Sequence, residues 1–161
     1  MSFYGSVAGG LLLLLSAYLL WKGYDSYLKK RSGEYEDLVR LLEHMAQQLE
    51  CRLSEGAAML SGFCSDRLSE LGFFQGEGGV GERFHRIAKR LTVNTKTRER
   101  LERFFSEFGT GYLGTERERI DRELRGLREE RDRVVSECEK DTRLCRALLL
   151  LGALGLIIFL I

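Results

Sequence analysis

The chain has 161 residues, with 25 Lys and Arg against 24 Asp and Glu for a net charge of +1. That near balance gives no case for nucleic-acid binding, which needs a basic surplus on one face. Proline is absent, which favours long uninterrupted helices. The charge is also segregated. Every Lys, Arg, Asp and Glu lies between Lys22 and Arg146, leaving residues 1–21 and 147–161 uncharged.

The first uncharged run, Tyr4 to Trp21, spans about 27 Å as a helix, close to the roughly 30 Å of bilayer hydrocarbon. Trp21, Tyr24 and Tyr27 fall where an interfacial aromatic belt sits, and Lys22, Lys29, Lys30 and Arg31 follow. The uncharged start, Met1 to Tyr4, is unlike a signal peptide, and Trp21-Lys22-Gly23-Tyr24 is a poor cleavage site. The C-terminal run reaches about 22 Å over residues 147–161. It is short, but Arg143 and Arg146 can snorkel. These patterns predict transmembrane helices at 4–21 and 146–161 around a helical domain at 22–145. Basic residues on the inner flank of both runs predict a cytoplasmic body, by the positive-inside rule. Both termini then point outward, with almost nothing beyond the bilayer. Gly5-x-x-x-Gly9 and Gly152-x-x-Gly155 are a weak signal for close helix contacts.

Between the runs, Leu38, Leu41, Leu42, Met45, Leu49 and Leu53 form one helical face over Glu34–Leu53. Ser54 is the expected cap of a second helix that continues to about Leu71. Gly72 to Gly81 reads as a loop. It lacks the Gly-Lys-Ser/Thr ending of a phosphate-binding loop, and Glu77 would repel a phosphate. Glu82 to Leu91 is expected to turn Phe84, Ile87, Ala88 and Leu91 inward. Thr95 is the expected cap of a helix to Phe108, with Leu101, Phe104, Phe105 and Phe108 on its apolar face.

Thr115, with Glu118 three positions on, reads as a capping box that opens a last helix of about 70 Å. Ile120, Leu124, Leu127, Val134 and Cys138 lie on a heptad seam, interrupted by Arg131 and Asp141 and continuing through Cys145 and Leu148. Pairs such as Glu118–Arg122, Asp121–Arg125 and Glu129–Arg133 are expected along its surface, with most carboxylates solvated. Cys51, Cys64, Cys138 and Cys145 show no metal spacing with His44 or His85, and all four read as packing residues. The fold class is all-α. Neither a catalytic constellation nor a metal or cofactor site is expected; the residues leave open a self-assembling coiled-coil scaffold working through the seam and a small membrane regulator.

Three stretches, Leu38–Glu50 with Leu53–Phe63, Leu101–Arg117 and Arg146–Ile161, resemble stage III sporulation protein AB of endospore-forming bacteria. The most specific piece is Phe108-Gly109 with Leu113-Gly114, similar to that family's signature after an amphipathic helix. The chain departs from it at Glu55 or Gly56, where the family usually has a proline, and at Glu116 and 119–121. The resemblance implies a bundle similar to the cytoplasmic domain of the type II secretion F protein. It implies a platform in the mother-cell membrane that couples a cytoplasmic ATPase, stage III sporulation protein AA, to a secretion-like channel. Its partners would be the bilayer, that ATPase and other channel proteins; further copies of the chain are the partner expected if it forms a homo-oligomer.

Overall fold

In the computed structural model the backbone is described for residues 2–50, 58–109 and 112–160; the side chains of 2–8, 11, 13, 50, 58, 113, 154 and 156–160 lie outside the description. The elements are α1 (Ser2–Glu50), a 3-10 turn (Ala58–Leu60), α2 (Asp66–Glu70), α3 (Val80–Ala88), α4 (Thr95–Glu107) and α5 (Leu113–Leu160). No strand occurs among the described residues, so the fold class is all-α as expected.

The absence of proline has its full consequence in the two long helices. The stretch from Lys22 to Gly33, with two glycines and two serines, does not break α1, which continues without interruption for 49 residues. Similarly, α5 runs for 48 residues, roughly 70 Å at 1.5 Å per residue. Among the described residues, no helix is long and apolar enough to cross a membrane. Residues 1–30 with 134–161 form one compact unit, and residues 31–133 form another.

Within residues 31–133, the predicted faces are buried. Tyr35, Leu38, Leu41, Leu42 and Met45 of α1 are all at most 1% exposed. Phe84 and Ile87 of α3, Leu101 of α4, and Ile120 and Leu127 of α5 are fully buried. Burying one such side chain stabilises by about 1.5–3 kcal/mol. The half-exposed Arg128–Glu43 pair at 2.6 Å adds about 0–1 kcal/mol, so packing sets the stability and the pairs set register. The helices α3 and α4 meet through Phe84 and Phe105, whose ring centroids are 4.5 Å apart. Opposite them, Gly81 lies so close to α4 that a Cβ would sit 2.6 Å from the Phe105 carbonyl oxygen.

Several boundaries differ from the expectation. The helix expected from Ser54 to Leu71 is broken. Gly62 takes φ +80°, a conformation an L side chain resists, and Ser65 caps α2 by accepting the Leu68 amide at 3.2 Å. Ser54, Leu53 and Cys51 lie outside the described residues. The cap of α4 is Asn94, which accepts the Lys96 amide, and Thr95 is already helical. The capping box at Thr115 does not form either. The Glu116 amide donates to the Tyr112 carbonyl at 3.0 Å, so α5 is under way two residues before Thr115. Asp121 pairs with Arg117, one helical turn back, at 3.3 Å, rather than with Arg125, which lies equally far along the helix in the other direction.

The solvated reading of the carboxylates fails at three positions. Glu34, Asp37 and Glu116 are at most 3% exposed. Glu34 accepts the Thr92 amide at 2.5 Å and the Thr92 hydroxyl at 2.9 Å, tying α1 to the connection between α3 and α4. Asp37 receives Arg67 at 3.2 Å. The small Gly33 leaves room for that guanidinium, which a Cβ there would meet at 2.5 Å. Cys64 is exposed and Cys138 and Cys145 are half-buried, so Cys64 is not the packing residue expected.

Candidate functional site

A groove of about 960 Å³ opens on residues 31–133 between α3 and α4. The α3 and α4 backbones approach closely at Gly81, one of its lining residues. Val80, Phe105, Phe108 and Met59 supply apolar floor. Glu77, Glu82 and Glu102 line it above, and the buried Glu116 reaches it from α5. Arg86 and His85 are the opposing basic side chains. The His85 Nδ1 lies 3.1 Å from the Glu102 carboxylate. Tyr112, just ahead of the helix that carries Glu116, is 88% exposed.

Chain geometry holds the groove in place from below. Gly109 takes φ +89°, which ends α4 sharply and turns the chain toward α5. The Phe104 and Phe108 rings lie 5.6 Å apart across that last turn. Thus Phe108 and Gly109 of the family-like signature line the groove. Gly114 is exposed with no atom within 4 Å of a Cβ position, and the Leu113 side chain lies outside the described residues.

A second constellation joins α1, α4 and α5. The Tyr35 hydroxyl accepts the Asn94 amide at 3.1 Å and lies 3.4 Å from Thr97 Oγ1. Thr97, 1% exposed, donates to Glu130. Arg100 reaches both Glu123 and Glu130 at 2.9 Å, lying across Gly126, where a Cβ would contact its guanidinium at 3.5 Å. The hydrogen bonds of Thr97 and Arg100 to Glu130, with the ion pair to Glu123, tie α4 to α5. Sequence patterning missed this network because its members read as ordinary surface residues; the one local signal was a glycine, Gly126, inside a charged helix.

The seam residues Ile120, Leu124, Leu127 and Val134 are buried within the chain itself, and Cys138 is half-buried. The Cys138 thiol donates weakly to the Leu28 carbonyl at 3.9 Å. The polar interruption at Asp141 has a partner: Tyr24 donates to its carboxylate at 2.9 Å. That bond, with burial and the carboxylate charge behind it, raises the Tyr24 pKa above its ordinary value. Arg131 pairs with Asp132 at 2.7 Å.

Of the flanking basic residues, Lys22, Lys30 and Arg146 are exposed. Lys29 pairs with Asp25 at 2.6 Å, Arg143 lies 3.6 Å from Glu139, and Arg31 is half-buried. Among the described residues, Gly9, Gly152 and Gly155 have nothing within 4 Å of a Cβ position and so make no close helix contact there; the Gly5 side-chain position lies outside the described residues. No group of three or more His, Cys, Asp or Glu is placed to hold a metal among the described residues.

An all-helical body whose chain order opens with α1 and closes with α5, with a sharp turn at Phe108-Gly109 after α4, defines an all-α protein. The family model of stage III sporulation protein AB matches residues 6–161. The chain belongs to that family, and with it to endospore formation. Neither a curated protein nor a solved structure matches the chain.

Proposed function

We propose that the protein is a membrane platform of the sporulation apparatus. It is anchored at both ends in the bilayer and holds a cytoplasmic secretion-type ATPase against a channel assembly. The observation that carries the reading is the distribution of exposed apolar side chains. In the unit of residues 1–30 and 134–161, Leu12, Leu15, Leu19, Leu20, Leu148, Leu150 and Leu151 are all 55% exposed or more. Among the described residues of 31–133, Tyr112 alone is a large exposed hydrophobe. Leucines facing outward along a helix are costly in water and favourable in hydrocarbon. The uncharged runs at 4–21 and 147–161 also contain the side chains outside the description, so their apolarity is read from sequence.

Within this reading, the body at 22–145 is cytoplasmic, resembles the type II secretion F protein's cytoplasmic domain, and passes the motion of the ATPase (stage III sporulation protein AA) to its membrane partners. Family membership supports the setting, and the acid-lined groove supplies a surface for a protein partner. The seam is packed inside one chain, which supports a platform over a scaffold assembled through Ile120–Cys138. The test is co-purification of the detergent-solubilised protein with the sporulation ATPase over a salt titration. The reading expects association that weakens as salt rises. No association at any ionic strength sinks the coupling role.

A further inference from the structure

We propose that the groove between α3 and α4 is the docking site for a basic amphipathic helix of a partner protein. The inference deepens the platform reading and rests on it for the partner being a cytoplasmic protein. Its size comes first. A helix with side chains is 10–12 Å across and rises 5.4 Å per turn, so about 960 Å³ accommodates roughly two turns. That is far more than one anchoring side chain needs. Its chemistry comes next. Phe108, half-buried, is its accessible apolar ring, above Val80, Met59 and Phe105, which are each 4% exposed or less; the apolar face of a helix packs against such a ring.

Charge then selects the sign of the occupant. Glu77, Glu82, Glu102 and Glu116 line the groove against Arg86 and a histidine. Glu102 faces His85 and Glu116 faces Arg119 at 3.3 Å, which leaves Glu77 and Glu82 as the exposed acids. Such a rim repels phosphate groups and anionic lipid headgroups and attracts lysine and arginine. A lone divalent ion is a poor occupant, since no three ligands converge among the described residues.

The experiment uses the full chain in neutral detergent and a fluorescent helix of about eighteen residues, leucine on one face and lysine on the other. The peptide carries a photo-crosslinker, and empty micelles supply the blank. A twin with glutamate for lysine controls for apolarity. The inference expects saturable binding of the lysine peptide, at least ten-fold tighter than its twin, with crosslinks on residues 77–109. Glu77→Lys with Glu82→Lys weakens it at least ten-fold, and Ser106→Trp, which plugs the groove without altering charge, weakens it as much. Glu129→Lys with Glu137→Lys, on exposed α5 positions, leaves it within two-fold. All variants are compared by circular dichroism, so a loss accompanied by unfolding is assigned to the plug or the charge only where the other variant stays folded. Equal binding of both peptides, crosslinks elsewhere, or equal loss in the α5 control overturns the inference. So does a protein that is oligomeric by light scattering and becomes monomeric with Ser106→Trp, because a second copy then fills the groove. Failure of the ATPase to co-purify, with the peptide still bound in the groove, overturns the coupling role and leaves the docking site standing.

Discussion

A Cβ on Gly81 would stand 2.6 Å from the carbonyl oxygen of Phe105. That approach brings α3 onto α4, and Gly81 is one of the residues lining the groove. The obstructing atom is backbone, so no side-chain rotation relieves a clash. Gly81→Ala therefore pushes the helices apart and costs about 1–3 kcal/mol. Thermal unfolding of the detergent-solubilised chain should fall by several degrees, and an unchanged midpoint would mean the helices are not held there.

The buried polar contacts supply a second prediction. Glu34→Leu removes the acceptor of the Thr92 amide and hydroxyl and leaves two inward donors without it. The expected loss is about 1–3 kcal/mol. Glu34→Gln retains a carbonyl acceptor and should recover a large part of it. Denaturant midpoints for the three proteins decide the matter; equal stability of the Leu and Gln variants counts against the assigned contacts.

Tyr24 offers a titration. Its pKa is raised, chiefly because its hydroxyl donates to Asp141. A raised folded pKa means that the contribution is fully present below the unfolded value of 10.0. It is lost as pH climbs through the higher folded value. The phenolate absorbance of Tyr24, taken as the difference from Tyr24→Phe, should appear later in an alkaline titration than that of a free tyrosine. In an Asp141→Asn background it should appear earlier than in the parent chain. Coincident curves in the two backgrounds would show that the bond is absent.

Leu15 and Leu19 are 55% and 58% exposed on α1. Under the membrane reading, Leu15→Arg with Leu19→Arg places two charges toward hydrocarbon, at about 2.5–3.5 kcal/mol each near the centre of the span. Alkaline carbonate should extract the variant from membranes while the parent stays. Equal retention of both proteins would argue that these leucines do not face lipid.

The apolar faces were legible because periodicity alone reveals them: Leu38 with Leu41 and Leu42, Phe84 with Ile87, and Leu101 with Phe104 and Phe105 all turn inward as their spacing predicts. Helix ends were less legible. A cap is one hydrogen bond, and Asn94 competes with Thr95 on nearly equal terms. The break at Gly62 depends on a positive φ that glycine permits but does not announce. Buried Glu34 and Asp37 were illegible because their partners, Thr92 and Arg67, lie far along the chain. The groove was illegible for the same reason. Its floor belongs to faces that sequence assigns to the core, and only the meeting of Gly81 with Phe105 decides how much of them stays open.

The exposed thiol of Cys64 gives the most direct test of a cytoplasmic body held by its two ends. With Cys51, Cys138 and Cys145 changed to serine, a membrane-impermeant maleimide is applied to intact cells and to cells with opened membranes. The account predicts labelling of Cys64 only after the membrane is opened. Labelling of equal strength in intact cells would place the body outside and contradict it.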